Sequence, residues 1–390
     1  MPFAIYALAL AAFAIGTAEF IVSGILPPLA NDLGVTIPTA GLLVTAYAIG
    51  VAIGGPILSL LTARFPPKPV LIAIMAVFAF SPLLCAVAPD YGLLLVARVL
   101  SSVAHGVFFG AGNVVVSRLV PAGRRGAAFS LFIGGITVAN LLGLPGGTAI
   151  GVAFGWRTTF VAVAGLALLA GALLLWKLPR VAGTEPESAG LRRQLRALRH
   201  HHVWLSYATI VVVMIGVMTF ATYQVPMMIQ ITHIDPELVP IYLLLGGVGS
   251  VLGMYLGGQL ADWKAMPSLI VVLLLQALSF FLLAAFSLYD PVFLAPNIFF
   301  GGVVGFALST PLQARVMHAA SDAPNLASAL ISTAFNIGIA GGAALGASLL
   351  NAGVHLGDLP AVGSVTALVA GALATAGWLL DRRDPSVAAV

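Results

Sequence analysis

Apolar residues in this chain fall in long runs broken by short polar punctuation. The runs show neither the alternation of a half-buried strand nor a stripe repeating every 3.6 residues. Residues 161–175 and 271–286 are almost continuously apolar. Dividing the chain at Pro, Gly and charge clusters predicts twelve spans, at 3–26, 39–62, 69–87, 92–115, 127–147, 158–178, 203–229, 239–261, 267–288, 292–313, 326–350 and 361–380. Most reach the roughly 20 residues needed to cross about 30 Å of hydrocarbon. A polar stretch separates the sixth span from the seventh. The expected domains are therefore 1–178, a linker at 179–202, and 203–390.

Composition narrows the class. Lys and Arg number 17 and Asp and Glu 13, so 8% of the 390 residues are charged and 60% are hydrophobic. Mean hydropathy is +1.08. A soluble domain carries about 25% charged residues, and a disordered chain is poor in apolar ones. A membrane β-barrel would alternate within segments of about ten residues. The expected fold class is therefore all-α and integral to the membrane. The first span lacks the basic n-region of a secretory signal, since Met1-Pro2-Phe3 leads straight into apolar sequence, and is expected to remain a span. Cys85 is the single cysteine, which rules out an intramolecular disulfide and a cysteine-based metal site.

Charge gives the expected orientation. With twelve spans both termini share a side. Every Lys and Arg except Arg98 and Arg157 lies on that side, among them Arg64, Lys68, Arg118, Arg124, Arg125, Lys264 and Arg315. That side reads as cytoplasmic. The opposite loops hold Asp32, Asp90, Asp235, Glu237, Asp290 and Asp358. A net charge of +4 then reflects basic loops facing anionic lipid, not nucleic acid. Residues 191–199, followed by His200-His201-His202, read as a basic surface helix against lipid in preference to a metal tract.

The two halves echo each other. Arg64 and Lys68 follow span 2, and Asp262 and Lys264 follow span 8. Span 5 carries Gly134-Gly135 and Gly143-Leu144-Pro145-Gly146-Gly147, and span 11 carries Gly338, Gly341-Gly342 and Gly346. Two related repeats are the plan of many secondary transporters. Further motifs are Gly16-Thr17-Ala18-Glu19-Phe20 in span 1, Pro38-Thr39-Ala40-Gly41-Leu42-Leu43 entering span 2, Arg98 and His105-Gly106 in span 4, and Gly155-Trp156-Arg157-Thr158-Thr159-Phe160 entering span 6. In this order the chain resembles a twelve-helix major facilitator superfamily transporter of the drug:proton antiporter-1 type. Within that type it is most similar to arabinose-efflux-permease-like and chloramphenicol-resistance exporters. The resemblance implies two pseudo-symmetric six-helix bundles, alternating access, and a conformational role for Arg64, Lys68, Gly143, Pro145, Gly147 and Asp262. It departs from the family pattern at Ser59, Ala63 and Pro66 in the loop after span 2, at Ser102 in span 4, and at Leu144 in span 5.

Glu19 and Arg98 are the charges deep inside spans. Each costs at least about 2.5–3.5 kcal/mol at mid-bilayer unless it faces protein or water. Glu19 sits about 10 Å from the outer end of span 1 and Arg98 about 9 Å from that of span 4, at 1.5 Å per residue. A Glu19–Arg98 pair is therefore expected. An adjacent cation favours the carboxylate and removal of water favours the acid, so Glu19 suits a proton site; a static salt bridge between helices is the alternative. His105 lies seven residues beyond Arg98 on the same face, placed to relay a proton or to bond a neighbouring helix. Tyr47, Asn113, Asn140, Tyr223, Gln224, Asn297 and Asn336 are candidate substrate contacts, although buried amides also hold helices together. Met214 and Met218 would form an adaptable apolar wall or face lipid. The glycine-proline run of span 5 is read as a hinge and seal. Arg157 is read as an interfacial anchor or helix cap.

The expected function is proton-coupled efflux of small amphipathic molecules such as drugs or sugars. The chain is expected to act as a monomer in the bacterial inner membrane, with no metal and no cofactor. The alternatives are a sugar or metabolite facilitator or importer on the same fold and, from another class, a membrane receptor or an intramembrane enzyme. No Ser-His-Asp set, Walker A motif or EF-hand loop accompanies the spans.

Overall fold

The computed structural model describes residues 1–62, 64–179, 201–319 and 324–383; all regular structure among them is helical. Eleven stretches are long and apolar enough to cross a membrane. The longest, Val239–Tyr289, has 51 residues. At 1.5 Å per residue a straight helix of that length would run roughly 75 Å, more than twice a hydrocarbon core. Lys264 breaks it with φ −154° and ψ 85°. Pro267, three residues on, lacks the amide hydrogen that a continuous helix would use. Two membrane-length arms result, and the described spans number twelve.

These are α1 (Phe3–Gly24), α2 (Ile37–Thr62), α3 (Pro67–Val87), α4 (Tyr91–Leu119), α5 (Arg125–Phe154) and α6 (Trp156–Lys177). Then come α7 (Val203–Gln230), α8 (239–263), α9 (265–285), α10 (Pro291–Met317), α11 (Leu330–Asn351) and α12 (Leu356–Leu380). Asp90 caps α4 by accepting from Leu93 N at 2.9 Å, and Asp290 caps α10 by accepting from Val292 N at 2.8 Å. Thr36 does the same for α2. These loop residues occupy amides that a helix leaves free in its first turn.

Two compact units emerge. One comprises Met1–Pro186 with Asp235–Leu244, the other Glu187–Ile234 with Leu245–Val390. Asp235–Leu244, which includes the start of α8, groups with the first unit. The basic linker helix at 191–199 and His200 lie outside the described residues, as does Ala63.

Within each unit the same helix pairs pack closely through glycines whose Cβ positions a neighbouring helix already fills. In the first unit, a Cβ on Gly106 of α4 would strike the backbone of Gly55 of α2. Gly135, Gly143 and Gly147 of α5 abut Ala9, Thr17 and Ile21 of α1. In the second, Gly249, Gly253 and Gly257 of α8 meet the backbone of Phe299, Val303 and Ala307 of α10, and Gly338, Gly342 and Gly346 of α11 meet Met214, Ile215 and Tyr223 of α7. Membrane helices lack a hydrophobic force between them and gain instead from such close approach. Met214 and Met218 belong to this seam, opposite Gly338 and Gly342.

Two spans of the first unit are not regular. α2 contains a π-helical turn at Gly50–Gly54 and α5 another at Ala139–Gly143. Each ends two residues before a proline, Pro56 and Pro145. A proline removes one amide donor and crowds the carbonyl four residues earlier. Widening the preceding turn by one residue relieves both.

Candidate functional site

Glu19, Arg98 and His105 meet where α1, α2 and α4 approach one another. Arg98 is 1% exposed. Its guanidinium donates to the carbonyl oxygen of Ala18, with a longer contact of 3.5 Å to that of Glu19. Its Cζ lies 4.1 Å from the ring centre of Tyr47. Nε is buried without a partner. The Tyr47 hydroxyl lies 3.1 Å from Nδ1 of His105, and the Glu19 carboxylate approaches the same nitrogen to 3.9 Å.

The expected direct pair between Arg98 and the Glu19 carboxylate is thus replaced by contact with the α1 backbone. Helix direction explains this. Side chains lean toward their own helix's N-terminus. As the first and fourth spans, α1 and α4 cross in opposite senses, so Glu19 leans one way and Arg98 the other. Arg98 reaches carbonyls that point along α1 toward its C-terminus, and Glu19 reaches the depth of His105. A charge-assisted hydrogen bond contributes about 1.5–3 kcal/mol and a desolvated cation–π contact about 2 kcal/mol. Together, at about 3.5–5 kcal/mol, they outweigh by a small margin the cost of about 3 kcal/mol for burying the cation.

Glu19 keeps 14% of its side chain exposed and His105 10%. The cluster therefore holds one sealed cation and a carboxylate–imidazole pair with residual access. Such a pair can exchange a proton while the cation stays fixed. Among the described residues no three His, Cys, Asp or Glu are grouped to hold a metal.

Both π turns flank this cluster. Gly50 of the α2 turn lies against Ser102 of α4, and Gly143 of the α5 turn lies against Thr17, two residues before Glu19. Gly143 and Pro145 are buried, and Gly147 seals against Ile21.

The remaining candidates divide by what they touch. Tyr47 is 1% exposed, so its contacts are with Arg98 and His105. Asn140 lies half-buried inside the α5 π turn, and Asn113 is exposed on α4. In the second unit, Tyr223 is fully buried and donates to the Ala343 carbonyl at 3.1 Å, tying α7 to α11. Gln224, beside it, is half-buried. Asn297 of α10 donates to Ser279 O at 3.2 Å and Ser287 Oγ at 3.3 Å, bracing α9. Asn336 of α11 donates to Ser332 O in its own helix, and its buried Oδ1 has no partner.

The loop residues also resolve. Lys68 donates to Leu178 O at 2.5 Å and so caps the C-terminal end of α6. Arg64 is exposed, stacked 5.0 Å from the Phe65 ring centre, and Asp262 is exposed. Arg157 pairs with Asp32, donates to Ala88 O at 3.0 Å and stacks 4.3 Å from Trp156, so it anchors helix ends. Trp156 Nε1 donates to the same Asp32 carboxylate at 3.1 Å. These bonds, the one from Arg157 foremost, hold the Asp32 carboxyl below the usual range. Gly155 permits the reversal into α6 with φ +88°. Sequence reasoning counted Asp32 only as a loop acid and missed Thr17; an acid paired with a distant Trp-Arg leaves no local periodic signal.

Ionisable side chains facing the interior of a polytopic helical bundle are a feature that membrane transporters share. Residues 8–343 match the family model of the Major Facilitator Superfamily, and the chain belongs to that superfamily. It is 38% identical over 385 residues to the inner membrane transport protein YdhP of Escherichia coli strain K12, covering 98% of this chain and 97% of that one. It is 33% identical over 373 residues to the chloramphenicol resistance protein of Streptomyces lividans, covering 94% of each. In fold it is similar to an inward-facing, unoccupied bacterial homolog of the human lysosomal transporter Spinster, with TM-score 0.76, 16% identity and 98% of each chain covered. The family and these relatives are transporters, not enzymes.

Proposed function

We propose that this protein is a proton-coupled exporter of small amphipathic molecules, working by alternating access in a bacterial inner membrane with both termini in the cytoplasm. The observation that carries the reading is the approach of the Glu19 carboxylate to His105 Nδ1 at 3.9 Å, beside a buried Arg98 that is already engaged by backbone. Glu19 takes up the coupling proton, His105 passes it, and Arg98 stays charged and fixes α1. Inward flow of one proton through 100 mV supplies about 2.3 kcal/mol. The chloramphenicol resistance relative supports export as the direction and a drug-like solute as cargo. Asn113, Asn140, Gln224 and Asn336 are the polar groups proposed to meet it. Lipid and the substrate are the expected partners of a monomer.

The test is a growth-inhibition panel that includes chloramphenicol, on cells expressing wild type or Glu19→Gln, followed by flux in proteoliposomes with an imposed pH gradient. Wild type is expected to confer resistance to at least one compound, and Glu19→Gln to fold yet lose gradient-driven export. Unchanged pH-dependent export in the variant would overturn the assignment.

A further inference from the structure

We propose that Tyr47 is a positioning residue for the coupling pair, set in register by the π turn of α2; this rests on the reading of Glu19 and His105 given above. Sequence alone makes Tyr47 a candidate substrate contact. Its burial at 1% exposure leaves no surface for a solute. Both ends of the side chain are in use: the Arg98 guanidinium covers the ring and His105 meets the hydroxyl. Arg98 and His105 are seven residues apart on α4, about 10 Å along the axis. One tyrosine spans the two and fixes both.

The register follows from the turn. Along α2, Tyr47 meets Arg98 and His105, Gly50 meets Ser102, Gly55 meets Gly106, and Ser59 meets Gly110. From Tyr47 to Ser59 is twelve residues. In a regular α-helix they would point roughly 120° apart, and Tyr47 would leave α4. A π turn absorbs one residue and brings the two within roughly 20°. Pro56 enforces that turn, and a Cβ at Gly50 would strike the Ser102 side chain while one at Gly55 would press on the Gly106 backbone.

The Tyr47 hydroxyl and Nδ1 of His105 share a hydrogen bond whose direction depends on the tautomer; with the hydroxyl taken as donor to neutral His105, the ring proton sits on Nε2. The hydroxyl and the Glu19 carboxylate then address one nitrogen, and protonation at Nδ1 is felt at Glu19. Without the hydroxyl the ring is free to rotate or to exchange tautomers, and the two groups uncouple.

The experiment uses the full-length protein in detergent with ¹⁵N-labelled histidine and needs no substrate. The His105 signals are identified by their loss in His105→Asn. In wild type, Nδ1 is expected to be the unprotonated, hydrogen-bonded nitrogen, and Glu19→Gln is expected to move the His105 titration midpoint. In Tyr47→Phe, which keeps the ring under Arg98, the tautomers are expected to mix, and adding Glu19→Gln is expected to move the midpoint no further. A Tyr47→Phe protein with wild-type tautomer and an intact response to Glu19→Gln overturns the proposal. Pro56→Ala combined with deletion of Ala52 restores a regular α2 and is expected to reproduce the Tyr47→Phe spectrum; an unaltered His105 signal there overturns the role of the turn. If that variant does not fold, the Tyr47→Phe arm alone decides. Failure of the efflux reading shows separately, as Glu19→Gln export that still follows the pH gradient while these spectra behave as expected.

Discussion

The two units use glycine alike and proline differently. In both, the first and fifth helices of the half, and the second and fourth, approach through glycines whose Cβ positions are already occupied. In the first unit α2 and α5 also carry Pro56 and Pro145, each after a π turn, and enclose Arg98, Glu19, His105 and Tyr47. Their counterparts α8 and α11 have no interior proline and run regularly among the described residues. The polar groups deep in the second unit include amides and hydroxyls, of which Asn297 braces α9 while Thr222, Gln276 and Asn336 each keep a buried oxygen without a partner. Its buried arginine, Arg315, lies near the basic end of α10. Shared packing with unshared irregularity separates what a half needs to fold from what the first half adds for chemistry.

The largest effect should fall on both units equally. Gly106→Val in the first and Gly253→Val in the second each drive a side chain into backbone. Each is expected to cost about 3 kcal/mol or more, read as loss of monodisperse protein and a lowered Tm. A variant that is tolerated in one unit alone would break the parallel.

Next comes a change special to the first unit. Arg98→Met removes a charge-assisted hydrogen bond and a stacked cation but also relieves the burial of the charge, and is expected to cost about 1–2 kcal/mol in thermal unfolding. Arg98→Lys keeps the charge without the flat face and is expected to recover less than half of that. Full recovery by Lys would reduce Arg98 to a bare charge.

Asn297→Ala in the second unit removes two donated bonds and is expected to cost about 1–2 kcal/mol, without altering the pH dependence of transport. Lost affinity with unchanged stability would return Asn297 to the substrate site.

The smallest effect is at the exposed clamp of the first unit. Asp32→Asn is expected to cost under about 1 kcal/mol at pH 7. Because the folded state holds Asp32 below the ordinary carboxyl range, its stabilisation is present above about pH 4 and lost on acidifying further. The difference in Tm between wild type and Asp32→Asn should therefore shrink toward pH 3. A gap that persists there would assign the clamp to something other than the ion pair.

The spans were legible because hydrocarbon thickness imposes length and apolarity on each one. α1, α3 and α7 begin and end within two residues of the expected bounds. α5 runs seven residues past its expected end, because the glycines after Pro145 serve packing and were read as a terminus. Glu19, Arg98 and His105 stood out as polar atoms in apolar sequence, and they do come together. Their bonding was not legible, because it depends on the opposite lean of side chains on crossing helices and on a π turn in α2, the helix after that of Glu19. In hindsight Gly-Gly-Pro in α2 and Gly-Leu-Pro in α5 are the signal for those turns: a proline inside a span, with glycine just before it. Ala63 and the basic stretch at 191–199 lie outside the described residues.

The seam between Gly55 and Gly106 has a consequence for how this protein can evolve. A contact made of backbone offers selection nothing to trim or enlarge. On the proposed export function, variants that broaden what is carried are expected to accumulate on other faces, such as the exposed one of Asn113 on α4. A saturation-mutagenesis map should then show cold stripes at every third or fourth position along α2 and α4, and adaptive changes should gather beside those stripes instead of on them.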